Sequence, residues 1–208
     1  MTRTEYKTIT QESYQATAKE FTQNVADLAP IESINRFVAY LPSGGKILDI
    51  GCGSGRDSKI FCDKGFQTVG IDFSSNLLEI AKKKAPGAEF HLMDIEKLQF
   101  PPASFDGAWA CHSLLHIPKK GLPAVLQAIH ALLKEKGTFY LTFKKGLGEV
   151  LEKDLRYGDY EKFWSYYDEE ELKQLLESAH FTLLSFELVE THHAYQTHPA
   201  FRIYCQKS

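Results

Sequence analysis

Along the first 41 residues, apolar positions recur at helical spacing: Phe21, Val25 and Leu28, then Ile31, Ile34, Phe37, Val38 and Leu41, with Pro30 between the two sets. A helical period interrupted by proline predicts two amphipathic helices ahead of the main fold. The pattern then changes. KILDI (46–50) is a short apolar run ending in a glycine cluster, which reads as a buried strand, and the polar segment after it reads as a helix that stops at Gly65. QTVGID (67–72) predicts a second strand, SSNLLEIAKKK (74–84) a helix capped by Ser74 or Ser75, AEFHLM (88–93) a third strand and FDGAWACH (105–112) a fourth. Leu122, Val125, Leu126, Ile129, Leu132 and Leu133 form a helical stripe closed by Lys134, Lys136 and Gly137, before TFYLTF (138–143) as a fifth strand.

Asp168 and Glu171 make a capping arrangement ahead of Leu172, Leu175, Leu176 and Ala179, so a further helix runs to about His180, and TLLSFELVE and FRIYCQ supply two last strands. Strands alternating with helices imply an α/β fold around a seven-stranded, mostly parallel sheet with helices on both faces. One domain over 1–208 is expected: N-terminal helices (1–41), a half centred on the glycine cluster (42–145) and a second half (146–208). The least regular stretch, 144–167, is predicted to be a long connection rich in aromatics and charge, and loops of this kind often carry function.

Composition narrows the function classes. A formal net charge of −3 leaves no electrostatic surplus for phosphate backbones or anionic lipid, so neither nucleic acid nor a membrane is expected as partner. No apolar stretch near the start resembles a signal peptide, and none elsewhere approaches a membrane span, which predicts a cytoplasmic protein. Cys52, Cys62, Cys111 and Cys205 lack paired spacing and read as reduced thiols. His112 and His116 stand four apart, but no acid sits between them as in H-E-x-x-H, so no metal is expected. Lys82, Lys83 and Lys84 read as a solvated helix end, and His192, His193, Tyr195 and His198 as an exposed polar loop.

The chemistry concentrates in ILDIGCGSG (47–55). A strand feeding directly into spaced glycines lets backbone approach a ligand, while the following helix offers free amides. A P-loop would need Gly-Lys-Ser/Thr, which is absent, and a dinucleotide fingerprint would need glycine where Arg56 stands. What remains is Asp49 before Gly51, Gly53 and Gly55, then Asp72 and Asp94 closing the next two strands. These three acids fall at the carboxyl ends of neighbouring strands, where open α/β sheets bind ligands.

Through ILDIGCGSG, VGIDFS, MDIEKLQF, FDGAWACHSLLHIP and LLKEKGTFYLTFKKG in that order, the chain resembles the class I S-adenosylmethionine-dependent methyltransferases, over roughly residues 10 to 206. The resemblance implies a Rossmann-like sheet with an N-terminal helical lid and methyl transfer from S-adenosylmethionine to a small molecule, leaving S-adenosylhomocysteine. It places Gly51, Cys52 and Gly53 against the methionine end of the cofactor, Asp72 on the ribose hydroxyls, Asp94 on the adenine amino group with Ile95 beside the ring, Phe73 on the adenosine and Cys111 as a source of backbone contacts. It also places His116 at the acceptor pocket, as a general base or as lining, and SYQATAKEF (13–21) in the lid, with Tyr14 and Phe21 near the cofactor. Glu149, Arg156, Tyr157, Trp164 and Tyr166 are further candidates for the acceptor wall. The Pro-Pro-Tyr/Phe tetrapeptide of DNA-amino methyltransferases is replaced by ACHS (110–113), which argues against nucleobases as acceptors. A cofactor-binding regulator without transfer activity and a nicotinamide-dependent reductase are the competing readings.

Overall fold

The computed structural model describes residues 3–191 and 198–208; His192, His193 and Tyr195 lie outside them. In chain order the elements are α1 (Arg3–Ala16), α2 (Ala18–Asn24), α3 (Ile31–Ala39), β1 (Lys46–Ile50), α4 (Arg56–Asp63), β2 (Gln67–Asp72), α5 (Ser75–Lys84), β3 (Glu89–Leu92), β4 (Phe105–Ala110), α6 (Leu122–Leu132), β5 (Leu133–Lys144), β6 (Glu149–Lys153), β7 (Glu161–Ser165), α7 (Glu169–Ser178), β8 (Phe181–Val189) and β9 (Ala200–Lys207). Seven strands form one sheet in the order β3-β2-β1-β4-β5-β9-β8. All neighbours from β3 to β5 run parallel, and β9 is antiparallel to both β5 and β8.

Period-two alternation divides each central strand between two cores. Leu48, Ile50, Ala108, Phe139, Leu141 and Ile203 face the cluster that includes Leu126 and Ile129 of α6 and Leu172 and Leu176 of α7. Ile47, Trp109, Tyr140 and Tyr204 face the opposite cluster, closed by Ile34 and Phe37 of α3 and Phe61 of α4. Trp109 is fully buried and stacks on Tyr140 with ring centroids 3.8 Å apart. A pair of this kind is worth about 0.5–1.5 kcal/mol beyond its buried area.

Three segments depart from the sequence expectation. An additional helix, α1, precedes the apolar periodicity; the face it buries is Tyr6, Thr10 and Ser13, and Thr17 follows it. Thr10 and Thr17 return their hydroxyls to the carbonyls of Tyr6 and Ser13 at 2.9 and 2.7 Å, so these two hydroxyls are buried with a local hydrogen bond made. Lys134, Lys136 and Gly137 do not continue α6: Phe105 pairs with Leu133 and Gly107 with Thr138, so residues 134–137 bulge from the start of β5. Third, the supposed connection of 144–167 contains the β6–β7 hairpin, whose second strand buries Lys162, Phe163, Trp164 and Ser165 in succession. A run buried on both faces shows no alternation, which hid it from a period-two reading.

The strand order reverses between β1 and β4, which opens a crevice at the carboxyl ends of the central strands. Helix α1 closes it from above. Gln11 Nε2 donates to the Phe73 carbonyl at 2.6 Å, Ser74 Oγ donates to Gln15 Oε1 at 2.7 Å, and Phe163 N donates to Thr10 Oγ1 at 3.0 Å. The lid is thus pinned both to the β2–α5 turn and to the hairpin.

Candidate functional site

The glycine turn after β1 is held from β2. Gly51 N and Cys52 N both donate to the Ile71 carbonyl, at 2.8 and 2.9 Å, and Gly53 N donates to Asp72 Oδ2 at 2.9 Å. Gly51 has φ 71°, and a Cβ built there would stand 2.4 Å from Ser113 Cβ, so both backbone angle and space require glycine. Gly55, grouped by the sequence with the ligand-facing glycines, instead packs at the start of α4, where its missing Cβ lets Ala81 of α5 approach. It is absent from the cavity wall, and its part is to bring α4 against α5.

Around this turn lies a cavity of about 530 Å³, a size suited to a small ligand. Asp49, Gly51, Cys52, Gly53, Asp72, Phe73, Asp94, Ile95, Cys111 and His116 all line it. Of the further acceptor-wall candidates, Arg156, Tyr157 and Trp164 line it too, whereas Glu149 is exposed and accepts from Lys119 N, and Tyr166 donates to Glu152.

Asp72 is buried, and its two oxygens accept from Gly53 N and from Ser74 N at 2.9 and 2.8 Å. Burial pushes its carboxyl up to about 6, against the pull of those backbone hydrogen bonds. Each carboxylate oxygen still has a lone pair to offer. Asp49, at the end of β1, is also held above the carboxylate range by burial and by the neighbouring Asp57 charge, although Ser58 Oγ donates to it at 2.5 Å. Asp57 in turn accepts from Trp109 Nε1 at 2.9 Å and from Arg56 Nε and Nη2 at 2.7 and 3.0 Å. Arg56 Nη1 reaches the carbonyls of Val25 and Leu28, so the residue that breaks the dinucleotide fingerprint ties the α2–α3 connection to the site.

Asp94 caps a short 3-10 turn, accepting from Glu96 N at 2.9 Å, and its other oxygen accepts from Lys7 Nζ at 2.6 Å. Lys7 also pairs with Glu96, and despite the cost of its burial these carboxylates raise its pKa. Sequence reading did not find Lys7, because its separation of 87 positions from Asp94 leaves no local signal.

His116 follows β4 at the other end of the cavity. Its Nδ1 lies 2.7 Å from the Phe163 carbonyl and its Nε2 lies 3.0 Å from Tyr14 Oη. A carbonyl only accepts, so Nδ1 carries the proton, Nε2 presents its lone pair and the Tyr14 hydroxyl donates to it. Burial, reinforced by Lys162 and Lys144, pushes His116 down to about 3, and it is neutral at ordinary pH. Lys162, also absent from the sequence reading, is buried with its ammonium 4.4 Å above the Tyr14 ring and 4.0 Å from that of Tyr157, and Asp154 lies 3.6 Å away.

Comparison with known proteins places this geometry. A family model described as a methyltransferase domain matches residues 21–185. The chain is similar to a 2-methyl-6-phytyl-1,4-hydroquinone methyltransferase of Synechocystis sp., 34% identical over 109 residues, which are 50% of this chain and 34% of that protein. Curated relatives are matched over only 25% to 47% of their length. Among solved structures, a SAM-dependent methyltransferase from Methanosarcina mazei superposes with a TM-score of 0.74 at 26% identity, covering 86% of this chain and 97% of that one. A 1,6-didemethyltoxoflavin-N1-methyltransferase from Burkholderia thailandensis, solved with S-adenosylhomocysteine bound, superposes with a TM-score of 0.80 at 22% identity over 100% of this chain and 91% of that one.

Proposed function

The chain belongs to the class I S-adenosylmethionine-dependent methyltransferase family, and from that membership we propose that it transfers the methyl group of S-adenosylmethionine to a small molecule held between the lid and the β6–β7 hairpin. The observation that carries the reading is Asp72, a buried carboxylate with spare lone pairs, locked beside a turn that only glycine can make. Those residues fit the cofactor. Asp72 is suited to accept from both ribose hydroxyls, the turn at Gly51–Gly53 to admit the methionine end, and Asp94 with Ile95 to border the adenine. Asp72, ionised above about pH 6, gives this part of the cavity a negative charge that complements a sulfonium.

S-Adenosylmethionine supplies an already activated methyl group, so the chain's own task is to position the acceptor and exclude water. Alignment of reacting groups in a closed site contributes roughly 7–11 kcal/mol to such steps. We assign the donor to segment 42–145 and the acceptor to the lid together with segment 146–208. His116 is a positioning residue here. Fixed by Phe163, its Nε2 accepts from the Tyr14 hydroxyl and orients it at the cavity wall; burial lowers His116 and raises Tyr14, so the proton stays on the tyrosine.

A net charge of −3 and a pocket at the switch point support a small molecule over nucleic acid or a membrane surface as partner. Among the described residues no helix is long and apolar enough to cross a membrane. Four free cysteines support action in the reducing cytoplasm. The test of the reading is transfer of a labelled methyl group from S-adenosylmethionine into a small-molecule fraction. A donor-binding regulator would retain the label on the donor, and a nicotinamide-dependent reductase would bind a dinucleotide in its place.

A further inference from the structure

The wall of the cavity nearest the hairpin holds an ammonium that the proposed chemistry does not use. Lys144 ends β5 and lines the cavity, with Nζ 3.6 Å from the centre of the Trp164 ring. Among the described residues no carboxylate lies within ion-pairing distance of it. The two acids that act on its charge are engaged elsewhere: Glu152 accepts from Tyr166, and Asp154 is held by Arg156 at 2.9 and 2.7 Å. A half-buried cation without a counter-ion is an expensive arrangement, and a binding site is where such an arrangement is kept.

The charge of the cavity is also divided. Asp49, Asp57, Asp72 and Asp94 mark the donor end, where Arg56 and Lys7 pair with Asp57 and Asp94, whereas Lys144, Lys162 and Arg156 gather at the hairpin end, the last two beside Asp154. Flat rings stand beside the ammonium. Trp164 lies under it, the His116 ring is centred 4.7 Å from Trp164, and Tyr14 is hydrogen-bonded to His116. Resting on the methyl-transfer reading, we propose that Lys144 anchors an acceptor of one chemical class: a flat, ring-bearing molecule that carries a carboxylate. The carboxylate neutralises the unpaired ammonium, and the ring lies along Trp164 and Tyr14 so that the acceptor points toward the donor end.

The Lys144–Trp164 contact by itself is a cation–π staple, and a staple would contribute to folding without selecting an anion. The two roles separate in a calorimetric titration of the protein saturated with S-adenosylhomocysteine, using benzoate and its neutral isostere benzamide as probes. Benzoate should bind about ten- to hundredfold more tightly than benzamide, the range of a charge-assisted contact. Lys144→Met should abolish that preference and Lys144→Arg should keep part of it, with S-adenosylhomocysteine binding unchanged in both. Equal binding of the two probes, binding of neither, or a preference that survives in Lys144→Met overturns the proposal.

If Lys144→Met does not fold, the wild-type pH profile decides. Burial brings Lys144 down to about 8, with Glu152 and Asp154 favouring its charged form and Arg156 opposing it; Lys162, His112, His116 and His198 also face it. The benzoate preference should fade as pH rises through 8, while benzoate itself stays ionised; a preference constant to higher pH is an overturning result. Absence of S-adenosylhomocysteine binding in the wild type would instead overturn the methyl-transfer reading, so the two failures are distinguishable.

Discussion

Asp72 carries two duties, and they dictate which variant tests it. Its oxygens satisfy the amides of Gly53 and Ser74, so Asp72→Ala would orphan two buried donors at about 1–3 kcal/mol each and confound binding with folding. Asp72→Asn keeps the shape and one acceptor oxygen. It should weaken S-adenosylhomocysteine binding by roughly 2–4 kcal/mol in calorimetry, since hydrogen bonds to a charged acceptor are lost. The same group sets a pH dependence. The ligand hydroxyls prefer the ionised carboxylate, so binding should be complete above pH 6 and fall as pH drops through 6, and the Asn variant should lack that limb. An unchanged limb in the variant would remove Asp72 from the ribose.

At His116 the structure changes the expectation for pH. A free histidine base would give a limb near 6 to 7, but burial moves His116 down to about 3. Its folded pKa lies below the unfolded one, so its neutral form contributes stability that is present above about 6.5 and is lost as pH falls toward 3. The melting-temperature gap between wild type and His116→Gln should therefore shrink on acidification below 6.5. Donor affinity should be spared in that variant, and Tyr14→Phe should reproduce its loss of turnover, since the two act as one hydrogen-bonded pair. Full activity in Tyr14→Phe alongside an inactive His116→Gln would contradict the pair.

At the level of elements, the glycine turn was legible because its residue types and its place after a strand both depend on near neighbours. Gly51→Ala tests it. A left-handed backbone costs an alanine about 1–2 kcal/mol, and the overlap with Ser113 adds to that. The melting temperature should fall by at least about 2–4 °C and donor affinity should drop, with partial recovery when Ser113→Gly removes the clashing Cβ. An Ala variant that melts and binds like the parent would mean the turn can relax. Helix α1 and the hairpin were not legible for a physical reason. Each is also held by partners distant in sequence, as Lys7 is by Asp94 and the Phe163 amide by Thr10 Oγ1. Hydrophobic periodicity records burial against an apolar core, and these segments are buried against a site.

For the molecule as a whole, the sequence showed the sheet and its donor end, because five parallel neighbours repeat one strand–helix pattern and the acids close successive strands. The acceptor end depended on β6, β7 and the lid converging on one cavity; the sequence pointed to Arg156, Tyr157, Trp164 and His116 for its wall, and to Tyr14 and Phe21 of the lid only as residues near the cofactor. On the proposed reading, the end that holds Asp72 faces the donor and the end that holds Lys144, Lys162 and Arg156 faces the acceptor. The most direct test of that account is to incubate the protein with methyl-labelled S-adenosylmethionine and a metabolite extract, then separate the small-molecule fraction. The account predicts label in a small molecule together with an equal amount of S-adenosylhomocysteine. Label that stays wholly on the donor, with the donor bound, would contradict it.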